Sequence, residues 1–230
     1  MEYLWQGLIK ALKLIVSLDR EVFGIVLLSL RVSVTAIVLS ALVGMPLGVL
    51  VGLRRFPGKR LFVTIVNTLM ALPTVVVGLL VYTMLSHRGP LGVLGLLFTP
   101  AAMITAQSIL VLPLVVGLTI VGITGVDPTV RKTAVSLGAN ELQAALAVVM
   151  EARYVLLAAI IAAFGRAIAE VGAAMMVGGN IKGSTRVITT AIALETGKGE
   201  FELAFALGIV LLSVAALINT ALYKLQAGVR

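Results

Sequence analysis

The chain has 230 residues, of which 60% are hydrophobic and only 12% charged, with no cysteine. A soluble domain is about 45–50% apolar and about 25% charged, so this composition excludes an ordinary soluble globule, a disordered chain, a disulfide framework and any thiolate chemistry. A formal net charge of +8 would suit nucleic acid, but the basic residues cluster as they do at the cytoplasmic face of a membrane protein.

Residues 1–20 read as an N-terminal amphipathic segment. Leu4, Leu8, Leu12 and Ile15 share one helical face with Tyr3 and Trp5 beside it, which suits a helix lying in the membrane interface or a frayed tail. Glu2, Lys10 and Lys13 argue against a signal peptide. Residues 21–230 then form one membrane domain with five apolar segments: about 23–53, 61–85, 94–123, 154–177 and 201–223. Each is long enough to cross about 30 Å of hydrocarbon. The expected fold is therefore all-α and integral to the membrane.

The first segment carries Ala36, Ser40, Gly44, Gly48 and Gly52 at intervals of four. One helix face of small residues favours close helix packing over a ligand site, and Pro46 is expected to kink it. A basic turn, Arg54-Arg55-Phe56-Pro57-Gly58-Lys59-Arg60, follows. Gln107, Asn67 and Asn219 read as hydrogen-bonding groups between helices rather than ligands.

The connector at about 124–153 is the most informative stretch. Asp127-Pro128 is a helix start, capping residue then proline. Gly138 is a break, and Asn140 with Gln143 forms a capping box for a second short helix. A small-faced helical hairpin of this kind suits a partner's groove or a linker resting on the bilayer. The basic residues of the first turn, this connector and the C-terminus number nine, against seven on the opposite side. That bias puts the N-terminus outside and the C-terminus in the cytoplasm.

In the fourth segment Arg166 sits about 18 Å past Tyr154, near the bilayer centre, where a lone Arg costs roughly 2.5–3.5 kcal/mol on insertion scales. Glu170 follows at i+4 on a stripe with Ala158, Ala162, Ala174 and Gly178. Two readings stand: a pair lining a polar path, or a buried pair fixing helix register. The chain lacks a P-loop, since Gly58-Lys59 is followed by Arg60 and Gly197-Lys198 by Gly199. Its one histidine, His87, lies in a short loop, which argues against a membrane hydrolase or a zinc site.

The connector resembles the cytoplasmic loop of binding-protein-dependent ABC importer permeases, E-A-A, three residues, G, nine residues, I-x-L-P. Ala134 and Gly138 match; Lys132 stands for the first Glu, and Met150-Glu151 for Leu-Pro. Arg166, Glu170, Gly172, Asn180-Ile181 and Thr185-Arg186 resemble the oxyanion branch. Val187-Ile188-Thr189-Thr190-Ala191-Ile192 and Glu195-Thr196 are most similar to tungstate permeases, with molybdate and sulfate permeases next. The resemblance covers about residues 25–225. It implies a methionine-permease-like fold, a second copy of the chain, two ATPase subunits that use ATP and Mg²⁺, and an extracytoplasmic oxyanion-binding protein. This chain itself would bind no cofactor, metal or nucleic acid and catalyse no reaction. It further implies that Ala134, Gly138, Ala139 and Glu141 couple to the ATPase, while Arg166, Glu170 and Asn180 are candidates for the path or its gate. An ion-coupled carrier or a channel is the alternative.

Overall fold

The computed structural model describes residues 5–7, 9, 13 and 20–227, except the side chains of 221, 222 and 225–227. The apolar N-terminal face (Leu4, Leu8, Leu12, Ile15) lies outside these residues; Trp5 beside it is exposed. Residues 20–227 form nine α-helices and a 3₁₀ turn, and there is no strand among the described residues. The helices are α1 (Arg20–Leu53), α2 (Lys59–Met70), α3 (Thr74–Leu85), α4 (Pro100–Thr124), α5 (Pro128–Ser136), α6 (Glu141–Ile168), α7 (Gly172–Gly178), α8 (Ile188–Lys198) and α9 (Phe201–Ala227).

Four of these, α1, α4, α6 and α9, are long and apolar enough to cross a membrane, or five if the bent pair α2–α3 is one span. The protein is an all-α, multi-pass integral membrane protein, and many large apolar side chains on its surface, such as Leu27, Leu42 and Leu212, are exposed. Such a surface is stable only in lipid or against a partner.

Helices α1 and α4 form the centre, and the small-residue stripe explains their approach. A Cβ on Gly48 would lie 2.5 Å from Thr119 Cβ, and one on Gly52 would lie 2.7 Å from Ile123 Cγ2. The Gly44 position faces Leu112 and Val115 at 3.1–3.3 Å. Ser40 Oγ donates to Ser108 O at 3.1 Å, across the same seam. Helix α1 runs on through Pro46, and α4 through Pro113, without interruption.

Three segment boundaries differ from the sequence expectation. The second segment is not one helix: α2 and α3 meet at a 93° bend. Pro73 has no N–H to donate and disfavours helical backbone at Leu72, and the chain turns there. The second connector helix is not short: α6 runs unbroken for 28 residues from its Asn140 cap into the fourth span. Glu151 and Arg153 are exposed charges on the surface of a continuing Ala- and Leu-rich helix. The fourth segment also stops early, at Ile168 rather than Val177.

Candidate functional site

Two structured breaks flank α6; they hold the coupling candidates and Glu170 and Asn180, while Arg166 lies in the last turn of α6 itself. The first is the hairpin of α5 and the start of α6. Asp127 caps α5, accepting from the Thr129 amide at 2.7 Å. That amide, and then the Thr129 hydroxyl, hold the Asp127 carboxyl below its ordinary value, with Lys132 adding a smaller pull. Gly138 has φ 89°, a left-handed conformation that glycine adopts at no steric cost. Leu137, Gly138 and Ala139 close the turn by donating to Thr133 O, Val135 O and Ala134 O. The capping box is formed as expected: Gln143 N–H donates to Asn140 Oδ1 and Asn140 N–H to Gln143 Oε1, both at 2.9 Å. Arg131 Nη2 lies 2.5 Å from Glu141 Oε2 and clamps α5 to α6.

The root and tip of this hairpin differ in burial. At the root, Val126 and Val130 pack with Leu53 of α1 around Ile123, Val148 and Ala152. At the tip, Leu137 is 83% exposed and Val135 and Leu142 are exposed as well, while Leu146 and Met150 continue the exposed apolar face along α6. Nothing lies within 4 Å of a Cβ placed on Gly138. The hairpin is thus anchored in the bundle and presents unpartnered apolar side chains outward.

The second break, at 169–187, buries Glu170, Ala173, Ala174, Val177, Gly178, Thr185 and Val187 and leaves Gly179 and 181–184 exposed. Glu170 is 5% exposed, and its Oε1 accepts from Ala173 N–H at 2.8 Å, satisfying the start of α7. Its carbonyl accepts from Thr189 Oγ1 at 2.7 Å. Ser29 Oγ of α1 accepts from Ile188 N–H at 2.9 Å, which ties the start of α8 to α1. Thr185 Oγ1 donates to Gly178 O at 2.5 Å and accepts from Ile181 N–H at 3.0 Å. Asn180, at φ 51°, donates from Nδ2 to Thr190 O at 3.2 Å. Helix α7 is wedged against α3 and α4: a Cβ on Gly78 would lie 2.9 Å from Ala173 Cα, and one on Gly178 2.8 Å from Met103 Sδ. A carboxylate on a continuing lipid-facing helix would have no partner. By folding back, the chain supplies one.

Arg166 and Glu170 therefore do not pair, contrary to the i, i+4 expectation. That spacing brings side chains together only on a continuous helix, and α6 ends between them. Arg166 faces outward and makes no ion pair among the described residues. The expected inward-packing stripe is also split. Ala158, Ala162 and Arg166 are exposed, whereas Ala174 and Gly178 are buried. The exposed part borders a cleft of about 570 Å³ between α6 and α9, lined by Ala158, Ala162, Asn219 and Tyr223. Buried Gln107 Oε1 has no partner, and Asn67 and Asn219 are exposed, so none of them shows the expected bond between helices.

Sequence reasoning passed over the Ser29 and Thr189 hydrogen bonds, which link residues 159 and 19 positions apart. It also passed over a basic cavity formed by Arg20, Lys182 and Arg186. Hydroxyls at these positions read as ordinary helix residues, and only the fold brings the cations together.

Comparison with known proteins places these features in context. Residues 44–230 match the family model described as binding-protein-dependent transport system inner membrane component. The chain is 46% identical over 98% of its length, and 99% of the relative's, to the tungstate uptake system permease protein TupB of Peptoclostridium acidaminophilum. It is 42% identical over 98% of its length, and 95% of the relative's, to TupB of Campylobacter jejuni. The molybdenum transport system permease protein ModB of Escherichia coli is 29% identical, over 76% of this chain and 81% of its own.

Proposed function

The chain belongs to the binding-protein-dependent transport system inner membrane components, and on that premise we propose that it is the permease of an ABC importer whose oxyanion is tungstate. The observation that carries this reading is the likeness to two tungstate uptake permeases across nearly the whole chain, at 46% and 42% identity. The lower likeness to a molybdenum permease ranks molybdate behind tungstate.

In this reading two copies of the chain form the path between them. The outward face of Ala158, Ala162 and Arg166 supports that arrangement. Small residues allow close approach in lipid, and a guanidinium facing a second copy can border a polar path instead of hydrocarbon. Glu170 and Asn180 hold the buried break beside that face. Arg166 then offers the anion a charge, while Glu170 shapes the element that would gate it.

Two ATPase subunits, which supply the ATP and Mg²⁺ chemistry, engage the hairpin around Ala134, Gly138, Ala139 and Glu141. The exposed tip supports this: Leu137 and Leu142 form an apolar contact in need of a partner. The hairpin is continuous with α6, about 42 Å long, whose far end meets the buried break. A push at the tip is thereby transmitted along a rigid rod. ATP binding and hydrolysis would switch the path between inward-open and outward-open. An extracytoplasmic binding protein would select the anion, so the permease needs little affinity of its own. The hairpin end, with Arg54, Arg55, Lys59 and Arg60, faces the cytoplasm in agreement with the basic bias, and the N-terminus lies outside.

The test is reconstitution. Purified chain, ATPase and binding protein in liposomes should take up tungstate only with ATP, and the ATPase should co-purify with the chain in mild detergent. Uptake driven by an ion gradient with no ATPase present would overturn the reading in favour of a carrier.

A further inference from the structure

At the end of α1 away from the hairpin, a cavity of about 480 Å³ opens between the start of α1 and the loop joining α7 to α8. Its lining carries the cations Arg20, Lys182 and Arg186, the Ser184 hydroxyl, and, among the described residues there, Glu21 as its carboxylate. Lys182 Nζ lies 2.7 Å from Glu21 Oε2, whereas Arg186 Nη1 stands 3.9 Å from Oε1, beyond hydrogen-bond distance. The Arg186 side chain is only 16% exposed, and its Nε is buried without an acceptor.

The loop holds this guanidinium in place. Arg186 N–H donates to Ile181 O at 3.1 Å, and neighbouring Thr185 is fully buried, its hydroxyl bonded to Ile181 N–H and to Gly178 O at the end of α7. A buried arginine nitrogen without an acceptor is costly to leave unmatched, and planar guanidinium donors match the oxygens of a tetrahedral anion. Three cations against one carboxylate leave two positive charges in the described lining.

We propose that this cavity is an entry subsite that holds a free tetrahedral dianionic oxyanion on Arg186, Lys182 and Arg20 before it reaches the path. The proposal rests on the oxyanion-importer reading, which puts this end of the molecule on the side where the binding protein releases its cargo. A lipid phosphodiester shares the tetrahedral oxyanion chemistry but carries one charge, and the balance of two among the described lining residues favours the free dianion. The cavity is wider than a small oxyanion, so the anion is held with water and released readily, as a hand-off site requires.

The experiment is equilibrium dialysis of the full chain, in nanodiscs of neutral phosphatidylcholine, against tungstate, with tungsten counted by mass spectrometry. Arg186→Gln and Lys182→Gln are compared with Arg55→Gln at the opposite end. Lys182 is exposed, so its variant should fold even if Arg186→Gln does not, and melting curves check each. The expected result is saturable tungstate retention, weakened about tenfold in both cavity variants and unchanged in Arg55→Gln. Absence of saturable retention, or equal loss in all three variants, overturns the subsite. So does Arg186-dependent displacement of tungstate when phosphatidylglycerol is added, which would assign the cavity to a lipid headgroup. ATP-driven uptake by the whole complex is measured in parallel. Uptake without retention by the permease removes the subsite and leaves the importer reading standing. Absence of uptake of tungstate, molybdate and sulfate alike removes both.

Discussion

Gly138 and Gly179 share a backbone conformation and little else. Gly138 precedes α6 with φ 89°, and Gly179 ends α7, beyond the other end of α6, with φ 70°. A Cβ on Gly138 would meet open space, whereas one on Gly179 would lie 2.8 Å from the Phe98 ring. The Gly138 turn closes on bonds between residues at most five apart, and its surroundings are exposed. The Gly179 region is held by Phe98 N–H donating to Val177 O, by Glu170 with Ala173, and by Thr189 with Glu170. The difference separates two tasks. A break open to solvent can be altered without loss of the bundle, which suits a surface that a partner reads. A break closed by long-range polar bonds is part of the bundle, which suits an element that must hold or switch as a unit.

The same substitution at both glycines should separate the two sites most strongly. Alanine in the left-handed region costs about 1–2 kcal/mol, and overpacking a full site adds about 1–3 kcal/mol. Gly179→Ala is therefore expected to destabilise the protein by about 3 kcal/mol and Gly138→Ala by about 1 kcal/mol. Thermal unfolding in detergent measures both, and equal losses would remove the distinction.

Next in size is the buried carboxylate. Glu170→Leu leaves the Ala173 amide buried without its acceptor and is expected to cost about 2 kcal/mol. Arg166→Leu, on the outward face, is expected to change single-chain stability by less than about 0.5 kcal/mol. The double variant should lose the sum of the two, because the residues do not touch. A double variant more stable than Glu170→Leu alone would restore the ion pair.

The exposed hairpin was legible in the sequence because its signals are local. Asp127-Pro128, Gly138 and the Asn140–Gln143 box each act within four residues, and each is found where spacing put it. The α1 stripe was legible for a similar reason, since period four on a straight helix is itself a face. The buried break was not. Arg166 and Glu170 obey helical spacing, but α6 ends at Ile168 because Glu170 gains a backbone donor and Thr189 by leaving the helix. The Ala173 amide is local, three residues on, but Thr189 is 19 residues away and is brought there by the fold. The bend at Pro73 did carry a signal, a proline within an apolar run, but Pro46 and Pro113 carry the same signal inside unbroken helices.

Smaller effects sharpen the exposed side. The Arg131–Glu141 pair is solvated on both sides, so Glu141→Gln is expected to cost only a few tenths of a kcal/mol, less at high salt, as read from hairpin hydrogen exchange. The Asp127 cap gives a pH signature. Its folded value lies below the ordinary 3.8, so its contribution is present above that value and lost as pH falls through the lower, folded one. Exchange protection of the Thr129 amide should hold at neutral pH and fade only in strong acid; fading near neutrality would contradict the cap.

In the proposed mechanism the exposed tip of the hairpin couples this permease to an ATPase, while only its root, around Val126 and Val130, is part of the packed bundle. Gly138→Glu puts a bulky charge at the open tip and is the most direct probe. The measurement is ATP turnover in liposomes containing the chain, its ATPase and tungstate-loaded binding protein. The expected variant inserts and melts within a few degrees of the parent, captures little ATPase and loses the turnover stimulated by loaded binding protein. Full capture and undiminished stimulated turnover by Gly138→Glu would contradict it.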